Sequence, residues 1–246
     1  MKPEIFNFDI EISPNSGYFW KSKYLGEVSI IEVLEESQLL CFGFQWNGGK
    51  YEILSQKDDP EYKVGVLNDK WLIQQLRDML DKADIVIGQN IERFDVKFFN
   101  SRCIVHKIEP PSRFKTYDTL KMNKKYFSHL ENNLKALSKK YGITNKLEHS
   151  GFMTMFYKAL AGDWAEMERY CKGDVTSTWE LFKEVLPWEQ RSNVGWHNKK
   201  QCPHCSSFNT HSKGTRAISG GFIRRYQCQD EFCGRFFDGE KVIRRL

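Results

Sequence analysis

Asp9 and Glu11 stand two residues apart in Phe8-Asp9-Ile10-Glu11, within the alternating run 4–12. On a strand, residues i and i+2 point to the same face, so the two carboxylates project side by side. Such a pair repels unless a cation sits between its members. A hard ion such as magnesium takes carboxylate oxygens and binds one or two of them together with substrate phosphate. On its own, Asp-x-Glu is more often the solvent edge of a strand. A third acid, Asp95, follows the short apolar run Ile85-Val86-Ile87-Gly88 and the segment Gln89-Asn90-Ile91-Glu92-Arg93-Phe94. It opens a helix, where open α/β sheets place ligand groups and where the helix dipole also favours any acid. A fourth, Asp174, lies four residues after Tyr170, so a phenol and a carboxylate share one helix face, one turn apart. Gly173, between them, costs about 1 kcal/mol in a helix and suggests close approach of another backbone.

A second chemistry sits in the tail. Cys202 and Cys205 are separated by two residues, and Cys228 and Cys233 by four. Four thiolates suit tetrahedral Zn²⁺, and paired knuckles deliver them from turns. The wider second gap leaves His204 or His211 open as substitute ligands. A tail of 50 residues is too short to build a core without such a staple. The other three cysteines, Cys41, Cys103 and Cys171, are isolated in sequence, so free thiols plus one metal site are expected rather than a disulfide framework. Between the knuckles, Arg224 and Arg225 are flanked by Phe222 and Tyr226. Cations could contact phosphate and aromatics could stack on unpaired bases, or the rings could be the ribbon's own small core.

The elements that must position these groups are legible. Residues 4–12, 38–46 and 50–54 read as strands, with Asn47-Gly48-Gly49 as a turn. Residues 13–37 form an aromatic-rich insertion with Tyr18, Phe19, Trp20 and Tyr24. Helical spacing predicts helices over 70–82, 92–102 and 133–141, with short strands at 84–88 and around Thr116-Tyr117. A long helix is expected over 164–185, capped by Asp163 with Glu166 as a capping box and stopped by Pro187. An antiparallel meander followed by alternating helices and short strands is mixed α/β. The boundary falls near 187–200, giving domains 1–190 and 197–246.

In this order, Phe8-Asp9-Ile10-Glu11, Asn90 with Asp95, and Tyr170-x3-Asp174 resemble the motifs of the DEDD 3′→5′ exonucleases, the tyrosine placing the resemblance in the DEDDy branch. Ile85-Val86-Ile87-Gly88-Gln89-Asn90-Ile91 is similar to that family's second motif, and Tyr117-Asp118-Thr119-Leu120 to its Asp-Thr segment. The resemblance covers residues 3–186 and extends to the proofreading domain of family-B DNA polymerases and to stand-alone, often phage-encoded relatives. It implies an RNase H-like fold, with a mixed sheet flanked by helices, followed here by a small zinc ribbon. It also implies two-metal phosphodiester hydrolysis, with Asp9, Glu11, Asp95 and Asp174 holding two Mg²⁺ or Mn²⁺ ions. Tyr170 would orient the attacking water, Glu11 would also contact the terminal nucleotide, and Asn90 would position substrate or backbone. The implied substrate is DNA, single-stranded or at 3′ ends. RNA hydrolysis, or non-catalytic nucleic-acid binding and recruitment through the ribbon, are the alternatives. A replication or recombination protein is the expected partner class.

Charge and composition agree with a polyanion as partner. Net charge is +5, yet residues 1–196 carry 27 basic and 28 acidic side chains, while residues 197–246 carry 10 and 4. Residues 113–146 hold nine basic and two acidic side chains, among them Lys121, Lys124 and Lys125, which could track an incoming strand. A mean hydropathy of −0.58 and the lack of a long apolar run argue against membrane association. The N-terminus has no signal-like apolar stretch, so a cytoplasmic protein of a bacterial or phage-infected cell is expected, not a secreted one. A P-loop is excluded, because Gly43 to Lys50 is one residue too long and Tyr51 follows where Ser or Thr is needed.

Overall fold

Phe6, Phe8 and Ile10 alternate with Asn7, Asp9 and Glu11 along β1 (Ile5–Ile12), so the strand offers one apolar and one polar face. The computed structural model describes residues 3–21, 28–143, 149–189, 201–205, 207, 209–218, 221–231 and 233–242. After β1 come β2 (Ser16–Lys21) and β3 (Val28–Glu35), which pair with each other as a separate antiparallel ribbon. The insertion expected at 13–37 is thus largely this hairpin, and Tyr24 lies outside the described residues. The chain returns through β4 (Leu39–Trp46) and β5 (Tyr51–Ser55), then α1 (Lys70–Leu80), β6 (Ile85–Gly88), α2 (Asp95–His106) and β7 (Lys115–Asp118). Four helices follow: α3 (Thr119–Tyr126), α4 (Leu134–Tyr141), α5 (Phe152–Leu160) and α6 (Ala165–Glu189). The tail forms β8 (Thr210–Ile218), β9 (Gly221–Cys228) and β10 (Phe236–Val242).

The main sheet has the order β5-β4-β1-β6-β7, with β4 and β5 antiparallel to their neighbours and β6 and β7 parallel. This is the mixed α/β sheet expected from the element order, with β1 at its centre. On the apolar face of β1, Phe6, Phe8 and Ile10 pack with Leu72, Leu76 and Leu80 of α1 and Phe99 and Cys103 of α2. Burying such side chains contributes about 1.5–3 kcal/mol each. On the opposite face, α6 packs Leu181, Phe182 and Val185 against Ile85 and Ile87, while Met167 and Cys171 meet Leu40, Cys41 and α5. Both neighbours of α6 are therefore apolar, and the polar face of β1 lies between them.

Two features of α6 differ from expectation. Pro187 does not end the helix but sits in its last turn. There a missing N–H costs one hydrogen bond, and Glu189 is anchored by Tyr126 Oη at 2.6 Å and Lys125 Nζ at 3.0 Å. Asp163 does accept from the Ala165 N–H, at 3.3 Å. Glu166 closes no capping box, because its carboxylate is taken by the Ser150 N–H and Lys158 Nζ, at 2.7 and 2.6 Å. Helices α3 and α5 have no counterpart in the sequence reading. The linker, 190–200, lies outside the described residues. Among the described residues no helix is long and apolar enough to cross a membrane.

Candidate metal centres

Asp9 and Glu11 share the face of β1 that meets α6. Asn7, on the same face, donates from Nδ2 to the Val175 carbonyl at 3.0 Å and so pins the helix to the strand. In the ladder with β4, Asp9 stands opposite Gly43 and Glu11 opposite Cys41. Gly43 is what lets α6 come close. A Cβ there would lie 2.7 Å from Val175 Cγ2, 2.9 Å from Ile53 Cδ1 and 3.2 Å from Cys171 Sγ. Gly43→Val is therefore expected to destabilise the chain by about 1–3 kcal/mol, read as a lower denaturation midpoint. An unchanged midpoint would mean that the α6 approach is loose.

Asp95 reaches the same place from the other side of β1. The helix bearing it starts at Asp95 rather than at 92, because residues 89–94 form a turn. Asn90 adopts φ 61°, a conformation asparagine tolerates better than most residues. The Asp118 carboxylate holds the turn, accepting from the backbone N–H groups of Asn90 (3.0 Å) and Glu92 (3.4 Å) while also capping α3 at Leu120 and Lys121. Thr119 Oγ1 adds bonds to the Gly88 carbonyl at 3.2 Å and to the Gln89 side chain. Asp95 itself is buried. The Ile10 N–H supports its charged form, which places it against β1 beside Asp9. Its Oδ1 is buried with no hydrogen-bond partner.

From α6 come Tyr170 and Asp174, one turn apart, with the phenol hydrogen-bonded to the Asp174 carboxylate. The His149 ring meets Tyr170 edge-on at 5.0 Å and favours the charged form of Asp174.

The electrostatics of the four acids are those of a site lacking compensation. Burial, then the charges of Asp95, Glu11 and Asp174, hold Asp9 well above the usual carboxylate range. Glu11 is pushed up to about 8 by burial and by Asp174 and Asp95. Asp95 is raised to about 7 by burial, against the backbone N–H bonds. Asp174 rises to about 6 through burial, partly offset by Tyr170. Burial and the neighbouring carboxylates also raise Tyr170, so it keeps its proton at neutral pH. Among the described residues none of the four is paired with Lys or Arg. Oxygens of Asp9 and Glu11, with Cys171 Sγ, all lie within 4.8 Å of one another. Clustered oxygens, unpaired charge and an orphaned carboxylate oxygen fit hard divalent cations.

Sequence reasoning missed Asp118 as the clamp on the Asn90 turn, His149 beside Tyr170, and Cys171 at the acids. A lone His in a loop and a lone buried Cys carry no spacing signal. The lysines are distributed differently from one another. Lys121 pairs with Glu92, Lys125 with Glu189, and Lys124 is exposed.

In the tail, β8, β9 and β10 form a three-stranded antiparallel sheet. All four thiols converge. Cys202 and Cys233 Sγ are 3.6 Å apart, and Cys205 and Cys228 Sγ 3.5 Å. Tetrahedral Zn–S bonds of about 2.3 Å place sulfurs about 3.8 Å apart, so the cluster fits zinc and is too open for disulfides. Backbone N–H groups of His204 and Asp230 point at Cys202 and Cys228 Sγ, each at 3.4 Å. The wider second gap is thus accommodated without His204, whose Nδ1 faces Arg235, and without His211, which is not in the cluster. Tyr226 is buried and stacks on Phe237 at 5.6 Å, so that ring is ribbon core. Phe236 is exposed, with the Arg225 guanidinium 4.6 Å over its face.

A family model described as RNase_H superfamily matches residues 34–186, a segment that begins after Asp9 and Glu11. Among solved structures, the family B DNA polymerase from the hyperthermophilic archaeon Pyrobaculum calidifontis is similar, with a TM-score of 0.56 at 16% identity. That match covers 79% of this chain and 26% of the polymerase, so the chain spans about a quarter of that protein's length. The likeness is one of fold. No curated protein matches the sequence. The matched segment takes in well over half of the chain, and the mixed sheet with helices on both faces is the architecture observed, so the chain belongs to the RNase_H superfamily.

Proposed function

We propose that the chain is a DEDDy-type 3′→5′ exonuclease that hydrolyses phosphodiester bonds of DNA, single-stranded or at ends, with a C-terminal zinc ribbon that binds nucleic acid or a partner. The observation that carries this reading is the convergence of Asp9, Glu11, Asp95 and Asp174 from β1, α2 and α6 with no Lys or Arg paired to them among the described residues, beside a tyrosine hydrogen-bonded to one of them. These four residues would hold two Mg²⁺ or Mn²⁺ ions. When bound, such ions supply activation of the attacking water and charge stabilisation at the leaving 3′ oxygen.

The chain's own groups do the rest. Tyr170 keeps its proton and donates it in a hydrogen bond to the Asp174 carboxylate, so its phenol oxygen would accept from the attacking water and orient it, and it is not a base. Glu11, at the end of β1 nearest the β2–β3 hairpin, would meet the terminal nucleotide. Asn90 acts through its backbone, setting the turn that delivers Asp95. Of the basic residues, Lys124 is free of the pairs that engage Lys121 and Lys125. Zinc held by Cys202, Cys205, Cys228 and Cys233 would fold the ribbon, on which Arg224, Arg225 and Phe236 would contact phosphate and bases. Domains at 1–190 and 197–246 follow from this division. The fold shared with a DNA polymerase supports DNA over RNA.

The test is hydrolysis of matched DNA and RNA oligonucleotides labelled at the 5′ or 3′ end, with Mg²⁺ or Mn²⁺ titrated. The expected result is a metal-dependent ladder shortening from the 3′ end of DNA. Release from the 5′ end, internal cleavage, or preference for RNA would overturn the corresponding part of the reading.

A further inference from the structure

Cys171 places a thiol against the acids of β1. Its Sγ lies within 4.8 Å of a carboxylate oxygen of Asp9 and of Glu11, and 3.6 Å from the Asp9 carbonyl oxygen. The thiol is fully buried on α6, one residue after Tyr170. Asp95, close enough to Asp9 and Glu11 for its charge to act on both, has its Oδ1 buried with no hydrogen-bond partner. Two carboxylates and a thiol therefore share one small volume, with an unpartnered carboxylate oxygen next to the two acids.

Magnesium gains nothing from sulfur, because it selects hard oxygens and near-octahedral geometry. Zinc and cobalt accept mixed oxygen and sulfur ligands in four-coordinate sites and stand higher in the affinity order. We infer that the carboxylate centre has a second binding mode, in which Asp9, Glu11 and the Cys171 thiolate take a thiophilic divalent ion of the zinc class, displacing the harder ion and stopping hydrolysis. The inference rests on the nuclease reading for its inhibitory consequence, but not for the coordination itself. Binding releases the Cys171 proton to water, as metal binding to thiols does. Cys41, hydrogen-bonded to Cys171 from β4, can then donate its own S–H to the thiolate. Cys171 acts only when such an ion is present.

The experiment uses the full chain with the ribbon cysteines preloaded with zinc, which cobalt does not displace because zinc binds more tightly. Titration with Co²⁺ is expected to raise a near-ultraviolet thiolate-to-cobalt charge-transfer band in the wild type. The band should vanish in Cys171→Ala. It should also vanish in Asp9→Asn, which keeps the thiol and guards against misfolding of the first variant. In a second arm, Zn²⁺ is titrated into the Mg²⁺-supported hydrolysis. The Zn²⁺ concentration that halves each protein's own zinc-free rate should rise at least about tenfold in Cys171→Ala. No band in the wild type, or equal bands and equal zinc sensitivity in wild type and Cys171→Ala, would overturn the inference. Cleavage with Mg²⁺ but no Cys171-dependent band leaves the nuclease reading standing. A Cys171-dependent band with no cleavage in any ion leaves the coordination standing and removes the nuclease reading.

Discussion

Asp174→Ala is expected to slow metal-dependent shortening of a DNA oligonucleotide by about 10³-fold or more while leaving the chain folded. A divalent ion at a reacting phosphoryl oxygen supplies several kcal/mol of charge stabilisation, and each 1.36 kcal/mol is about tenfold in rate. The variant removes one of the four acids and the acceptor that fixes the Tyr170 hydroxyl. It should not cost stability in the metal-free chain, because Asp174 is held there above its ordinary protonation range by burial. Alanine also suits a helix interior better than aspartate does. The rate is read by end-labelled hydrolysis and the fold by circular dichroism and thermal melting. A parental rate would remove Asp174 from the site. A collapsed melting transition would instead make it a structural residue.

The fold class was legible from the order of the elements, and the candidate site residues could be picked out because their signals are local. Asp9 and Glu11 are two apart on a strand, and Tyr170 and Asp174 four apart on a helix, so each pair shares a face whatever the tertiary structure. The four cysteines likewise announced themselves by spacing. Helix α5 has no equivalent cue. Its sequence, Phe-Met-Thr-Met-Phe-Tyr-Lys-Ala-Leu, is apolar on most sides, and it becomes a helix by packing Met155, Phe156 and Ala159 against Leu40 and Cys41. Pro187 was a true local signal overridden by tertiary contacts at Glu189. Asp118 and Cys171 depend on contacts with residues 28 and 162 positions away, at Asn90 and Asp9. No window along the chain contains both partners. Gly43 shows the same limit: its role becomes visible only once α6 lies across β4.

The unpaired acids also fix how stability should respond to pH and to metal. A carboxyl whose proton affinity is raised in the folded chain still holds its proton there after the unfolded chain has released it. From about pH 4, the ordinary carboxylate value, up to the folded-state values, the folded chain binds more protons. Stability then falls as pH rises across that window. The folded-state values are about 6 for Asp174, about 7 for Asp95 and about 8 for Glu11, with Asp9 also raised. Metal-free protein is therefore expected to lose stability steadily between pH 5 and 8, read as a melting temperature that falls by several degrees across the window. Saturating Mg²⁺ or Mn²⁺ should remove most of the drop, because the ion replaces the protons and binds the charged carboxylates best at the upper end of the window. Asp9→Asn should flatten the metal-free profile and raise its pH 8 melting temperature, since the charge facing Glu11, Asp95 and Asp174 is gone. The same variant should lose most of the stabilisation by metal. Melting curves at pH 5, 6, 7 and 8, with and without chelator, separate these cases. A metal-free melting temperature that is flat or rises from pH 5 to 8, with Asp9→Asn indistinguishable from the parent, would mean that the four acids are compensated in solution and that no cation is needed to hold them together.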